Sequence, residues 1–273
     1  MWLSMHMEFY KAVCFSQRAG FPKAPLRSTI ADLTYPISES GNRYPTDPAP
    51  RITVVSARVE EGRLKSGYTE LQIRTHHGTH IDAPAHKIPG GKTIDQYELT
   101  KFINRAMLLD LTQHLSPEEV YVRRISRELL ERVLTPECLR RMEREGISAL
   151  LFRTGYDKVI ERGVTDDFNF PYLEGAAAEF LVERCEQQGV KLDVVGLDSF
   201  SVDPKGTPDS PAHRAFLSRD ILILETLVNL EDVTEAFGEE PFELICAPIL
   251  YAGADGAQVR AFSRNMREEK GGK

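Results

Sequence analysis

Hydrophobic and polar positions along the chain alternate in two distinct rhythms. Ile52–Val59 (ITVVSARV) and Thr69–Thr75 (TELQIRT) are β-branched, partly alternating runs that predict strands. Ala106–Leu111 (AMLLDL) is a continuous apolar run and predicts a strand buried on both faces. Ser116, with Pro117 and Glu119 behind it, reads as a capping box opening a helix that continues through ISRELLERVL. Thr135-Pro136-Glu137 opens a second helix, which Gly146 ends. A strand at Ala149–Arg153, a helix from about Glu174 to Gln188 stopped by Gly189, and a buried strand at Val194–Leu197 follow. Ser210-Pro211 starts a short helix, and Ile221–Leu224 and Leu244–Leu250 complete the strand set. Long helices fall only in the middle, with strands before and after. That order predicts one α/β domain in which a mixed sheet meets a helical layer. Residues 1–27 lack periodicity and read as an N-terminal appendage, 28–265 as the domain, and 266–273 as a polar tail.

Composition narrows the function classes. The 273 residues are 41% hydrophobic and 27% charged, enough to build a core. Asp and Glu number 41 against 34 Lys and Arg, a net charge of −7, so a basic footprint for nucleic acid or an anionic membrane is missing. Four dispersed cysteines with no C-x-x-C pair are the usage of a reduced compartment. Met1–Gln17 lacks a continuous apolar core for secretion, and no stretch reaches 18 uncharged apolar residues. The expectation is a soluble, cytoplasmic protein.

Chemistry concentrates in one segment: His76-His77-Gly78-Thr79-His80-Ile81-Asp82-Ala83-Pro84-Ala85-His86. His76, His80, Asp82 and His86 share even parity and would lean to one side of an extended chain. Full extension fails, because at about 3.3 Å per residue His76 and Asp82 would stand roughly 20 Å apart. Ligands to one ion lie about 2.0–2.2 Å from it, so the backbone must fold back, and Gly78 and Pro84 permit that. Imidazoles with a carboxylate form an N/O set suited to zinc and tolerable for manganese. Downstream, His213 sits in the first turn of a helix, where the positive dipole end favours neutral imidazole, and Glu225 ends an apolar run. By residue type each also fits an ordinary role, a capped helix histidine and a glutamate leaving a strand.

Other motifs fail. Gly90-Gly91-Lys92-Thr93 ends like a P-loop, but the first required glycine is His86. G-x-G-x-x-G after a strand and G-x-S-x-G are both missing.

The run from His76 to His86 resembles the H-x-G-T-H-x-D-x-P-x-H signature of the metal-dependent cyclase family, which includes bacterial kynurenine formamidases (arylformamidases), isatin hydrolases and polyketide cyclase-like proteins. Ile30–Thr34, Tyr44-Pro45-Thr46-Asp47, Phe152–Gly155, Phe170–Leu173 and Gly253–Gly256 with Val259-Arg260 are similar to further family motifs. The resemblance implies a swivelling β/β/α fold and a homodimer or larger homo-oligomer. It implies that His76, His80 and Asp82 bind metal, with Asp82 bridging where two ions are present, and that His86 is the acid/base residue. His213 and Glu225 match the family's remaining ligand pair in spacing. Tyr44 stands where an aromatic residue, commonly Trp, packs on substrate, although a core tyrosine reads equally well. Lys87 departs from an aromatic residue common there, and Gln258 from a proline.

The expected function is therefore hydrolysis of a small amide or formamide C–N bond, most like arylformamidase converting N-formylkynurenine to kynurenine and formate. One or two divalent ions, zinc or alternatively manganese, would supply hydroxide at neutral pH. The substrate would be a small, aromatic molecule. A lactam or lactone hydrolase of the isatin hydrolase kind and a dehydrating cyclase share the ligand set. A metal-binding module without catalysis is the alternative of another class.

Overall fold

The computed structural model describes residues 30–60, 63–114, 124–161 and 169–266. The appendage expected over 1–27, the capping box at Ser116 and most of the expected polar tail lie outside the described residues. The first strands are β1 (Ile30–Asp32), β2 (Arg51–Glu60), β3 (Arg63–Gln72) and β4 (His80–Asp82). Then come β5 (Ile103–Asp110), β6 (Arg124–Ile125), β7 (Ala149–Arg153), β8 (Tyr172–Leu173) and β9 (Val194–Leu197). Last are β10 (Leu222–Glu225), β11 (Phe242–Ile245), β12 (Gly256–Gln258) and β13 (Phe262–Arg264).

Nine of these form one mixed sheet in the order β1-β13-β11-β5-β7-β9-β10-β4-β12. Its centre, β5-β7-β9-β10, is parallel, and every pairing outside that centre is antiparallel. Period-2 alternation divides the core between the sheet's two faces. On one face Leu150, Phe152, Val195, Leu197 and Ile223 pack under the helices 127–133, 136–145, 175–188 and 211–217, through Leu130, Met142, Leu181 and Phe216 among others. On the other, Ala149, Leu151, Val194, Leu222 and Leu224 meet Phe102, Phe242 and the helix Leu230–Phe237 through Leu230 and Val233. The α/β class and the mixed sheet with a helical layer are as the hydrophobic pattern predicts.

Several boundaries differ from expectation, each for a local reason. Among the described residues, β2 and β3 pair only with each other, apart from the main sheet, and β3 ends at Gln72 rather than Thr75. The helix expected to run through ISRELLERVL begins only at Arg127, because Arg124–Ile125 pairs with β8 and the Ser126 hydroxyl accepts from Leu129 N–H (3.3 Å). The strand expected over Leu244–Leu250 stops at Ile245; Pro248 has no N–H to donate, and only an isolated bridge to Val259 follows. β5 is less enclosed than its apolar run implies, since Leu108 and Leu109 are half-buried.

Candidate metal centre

The register of β4 builds the site. β4 lies between β10 and β12, with Asp82 opposite Ile223 and Gly256, and His80 opposite Glu225 and Gln258. Directly opposed residues of antiparallel strands point to the same face. His80, Asp82 and Glu225 therefore share the helical side of the sheet, while Ile81 turns into the core beneath. His76 arrives by the fold-back required of an extended chain. Gly78 has φ +69°, where a Cβ would also sit 2.7 Å from Ile37 Cγ1. The Thr79 hydroxyl donates to the Thr226 carbonyl (2.6 Å) and accepts from Tyr35 N–H (2.7 Å), fixing the turn to β10. Gln258 Nε2 donates to the Arg74 and Thr75 carbonyls (2.6 and 2.9 Å) and holds the approach to His76.

Five predicted residues converge with their donor atoms. His76 Nδ1 is 2.8 Å and His80 Nε2 3.4 Å from Asp82 Oδ1. His213 Nε2 is 3.5 Å from Asp82 Oδ2 and 3.5 Å from Glu225 Oε1, and His80 Nε2 is 3.3 Å from Glu225 Oε2. Edges of about 3.4 Å are those of a tetrahedron of ligands with bonds of about 2.1 Å. Asp82 turns one oxygen to each half of the cluster. Despite this crowding, His80 Nε2 and both Asp82 oxygens are buried without a hydrogen bond. Buried polar atoms are rarely left so, and lone pairs converging on a common centre fit a divalent cation.

Hydrogen bonds on the far side of each ring assign its tautomer. His80 Nδ1–H donates to the Gly78 carbonyl (2.9 Å) and His213 Nδ1–H to Asp203 Oδ2 (2.6 Å), so both rings turn an Nε2 lone pair inward. Asp203 also accepts from Ala212 and His213 N–H (2.9 and 3.0 Å), seating the start of the helix 211–217. Asp255 Oδ2 lies 3.0 Å from both His76 Nε2 and His86 Nδ1, and its Oδ1 accepts from the Thr75 hydroxyl at 3.0 Å. The His76 and His86 rings are 4.2 Å apart.

Charge follows this geometry in the metal-free chain. Burial disfavours the His76 cation, but Asp82 and Asp255 outweigh it and lift the pKa to about 10. Burial likewise opposes, and Asp203, Asp82 and Glu225 overcome, at His213, which reaches about 9. The helix start was expected to favour neutral imidazole there; the carboxylates around the ring outweigh a seven-residue helix. Burial alone would raise Asp82, yet His76, His86 and His213 hold it well below the usual carboxylate range. Hydrogen bonds from His76 and His86 do the same for Asp255.

Among the described residues, three groups are spaced to hold an ion: His76-His80-Asp82, Asp82-His86-His213 and His76-His86-Asp255. His86, expected only as acid/base, thus also lies within ligand range. The fourth histidine of the run, His77, stays apart: its Nδ1 accepts from Arg74 N–H (3.1 Å), and burial lowers its pKa. Asp255 and Asp203 were not singled out in the sequence. Asp255 lay inside the Gly253–Gly256 motif, whereas Asp203 carried no signal beyond a carboxylate before proline.

Above the cluster opens a cavity of about 380 Å³ lined by His76, His80, His86, His213 and Glu225 below and by Tyr44, Arg74, Lys87 and Phe200 on its walls. Tyr44 packs on Phe170 with ring centroids 5.8 Å apart. Burial, then Glu225 and Asp47, raises its pKa.

Among known proteins, the chain is 29% identical over 236 residues to the kynurenine formamidase of Salinibacter ruber, covering 86% of this chain and 97% of that protein. The kynurenine formamidase of Bacillus anthracis is 28% identical over 235 residues, 85% and 96% of the two chains. The fold matches a solved structure described as a potential metal-dependent hydrolase with cyclase activity, with TM-score 0.66 at 24% identity over 88% of this chain and 98% of that one. It also matches isatin hydrolase A from Labrenzia aggregata bound to benzyl benzoate, with TM-score 0.68 at 19% identity over 97% and 100%. Residues 31–204 match the Cyclase family, and with well over half its length inside that match the chain belongs to this family.

Proposed function

We propose that the protein is a metal-dependent hydrolase of a small amide or formamide C–N bond, with N-formylkynurenine as its first candidate substrate. The observation that carries this reading is Asp82, which presents its two unbonded oxygens to His76 and His80 on one side and to His213 on the other, with Glu225 closing the cluster. The kynurenine formamidase relatives support the reaction class. His76, His80, Asp82, His213 and Glu225 would hold one or two ions, zinc first and manganese second by ligand type. A divalent ion bound there supplies Lewis acidity, lowering the pKa of water to about 7 and polarising an acyl oxygen.

His86 is the proton carrier in this reading. Asp255 takes its Nδ1–H, so Nε2 is the atom free to act on the cavity side. It accepts a proton as water adds to the acyl carbon and returns it to the leaving nitrogen as the C–N bond breaks, giving a carboxylic acid and an amine. Tyr44, braced on Phe170, offers an aromatic wall to an aromatic leaving group. The shared fold with isatin hydrolase A favours lactam opening as the second reading, since it breaks the same type of bond.

A homodimer or larger assembly belongs to this proposal: the β2–β3 hairpin exposes Tyr68 and Leu71, and a lone two-stranded hairpin is marginal in water. So does a cytoplasmic location, which free Cys138, Cys185 and Cys246 support. Among the described residues, no helix is long and apolar enough to cross a membrane.

Metal content by mass spectrometry and formate release from N-formylkynurenine, before and after chelation, test the reading. Stoichiometric metal with chelator-sensitive release supports it. Metal without release moves the search to lactams, lactones and cyclisable acids, and a metal-binding module remains if a broad panel also fails. A chain that binds no divalent ion overturns the proposal.

A further inference from the structure

Lys87 follows His86 directly, is partly buried and lines the cavity above the cluster. Its backbone is pinned: Lys87 N–H donates to the Pro84 carbonyl (3.1 Å), and its own carbonyl accepts from Arg214 Nη1 (3.3 Å). The ammonium makes no ion pair or hydrogen bond among the described residues. Three other cations are paired with carboxylates. Arg74, on the same wall, is 2.7 Å from Asp47 Oδ1; Lys92 is 2.8 Å from Asp220 and Lys101 2.7 Å from Asp193. The carboxylates lining the cavity are also engaged, Asp47 with Arg74, Asp203 with His213, and Glu225 with Val202 N–H. An unpaired cation on the wall of a binding cavity is complementary to a ligand that brings the opposite charge.

We propose that Lys87 Nζ binds a carboxylate on the substrate, making this residue specificity-determining and the preferred substrate an N-acylated aromatic amine that bears an anionic group. The inference rests on the hydrolase reading for its choice of acyl amine. The carboxylate contact itself is separable. A charge-assisted hydrogen bond of this kind is worth about 10–100-fold in affinity, and the neutral analogue forgoes it.

Two probes decide the matter, 2-formamidobenzoate and its neutral counterpart formanilide, with the metal-loaded wild type, Lys87→Gln and Lys87→Arg. The expected result is a fall of about 10–100-fold in kcat/KM for 2-formamidobenzoate in Lys87→Gln, carried mainly by KM, with formanilide within about twofold of wild type. Lys87→Arg should restore most of the loss. Equal losses on both substrates, or no loss on the carboxylate, overturn the inference. Calorimetric binding of 2-formamidobenzoate to the chelated protein gives a readout independent of turnover. Binding that Lys87→Gln weakens about tenfold or more, in a wild type that hydrolyses neither probe, would sink the formamidase reading and leave the Lys87 contact standing. Hydrolysis of both probes with Lys87→Gln indifferent to charge would do the reverse.

Discussion

His80 and Glu225 are directly opposed residues of β4 and β10, with Nε2 and Oε2 3.3 Å apart on the helical face of the sheet. Sheet register therefore sets the spacing of the cluster. A slip of one residue would turn His80 and Asp82 into the core and expose Ile81 in their place. Thr79, tied to both Tyr35 and Thr226 at the entrance of β4, helps this three-residue strand hold that register, as do the Val259 N–H to Thr79 carbonyl and Ala83 N–H to Asp255 carbonyl bonds.

Asp82 is the residue both halves of the cluster share. Asp82→Asn keeps the volume but removes the charge and puts an amide donor where a lone pair is needed. Metal content by mass spectrometry should drop to near zero, and hydrolysis by about 10³-fold or more, because several kcal/mol of Lewis-acid stabilisation goes with the ion. An Asp82→Asn protein that keeps full metal occupancy would contradict the shared-ligand geometry.

His76 and His213 compete with any ion through their protons. Their pKa values in the metal-free fold, about 10 and about 9, exceed the ordinary histidine value of 6.5. Protonation therefore stabilises the metal-free fold fully below about pH 6.5, and that stability is lost as pH rises toward 9 and 10. The chelated protein should show a falling Tm across this window. The rise in Tm on adding metal should grow over the same window, since ligation needs the unprotonated rings. At pH 7, calorimetry in buffers of different ionisation enthalpy should report about two protons released per loaded site. A chelated protein whose Tm climbs from pH 6.5 to 9.5 would contradict the protonated pair.

His86 and Asp255 separate proton transfer from metal binding. His86→Ala should retain metal and lose about 10²–10⁴-fold in kcat. Asp255→Asn leaves the ring but weakens its orientation and that of His76, so a smaller loss of about 10–100-fold is expected, with weaker metal retention during dialysis against chelator. Loss of metal in His86→Ala would instead make His86 a ligand, as its place beside Asp82 and His213 allows.

The candidate cluster around β4 was legible in the sequence because most of its members are local. Five ligand-type side chains within eleven positions, with Gly78 and Pro84 among them, can reach a common ion only if the chain folds back. Helix ends at Thr135, Gly146 and Gly189 were legible for the same reason, since capping involves neighbours. Asp255 was not: it reaches His86 across 169 positions, and only the pairing of β12 with β4 creates that contact. Periodicity likewise identified β2 and β3 as strands without naming their partners. The helix Leu230–Phe237 went unnoticed although Leu230, Val233 and Phe237 keep helical spacing, because eight residues give the pattern too few turns to stand out.

Gly256 shows how tightly the sheet edge is fitted to the cluster. It lies opposite Asp82, and a Cβ there would come 2.8 Å from the Ile81 carbonyl and 3.1 Å from His76 Cε1. Relieving the backbone contact shifts β12 against β4, and with that shift the His76 ring must also give way. Its displacement pulls Nδ1 away from Asp82 and Nε2 away from Asp255 together. Gly256→Ala should fold, at a cost of about 1–3 kcal/mol for overpacking. Its metal affinity should fall about 10–100-fold, the scale of disturbed support around a ligand. Competition with a chromophoric chelator measures the affinity and chemical denaturation the stability. A variant that loses stability but binds metal as wild type does would remove His76 from the ion's coordination.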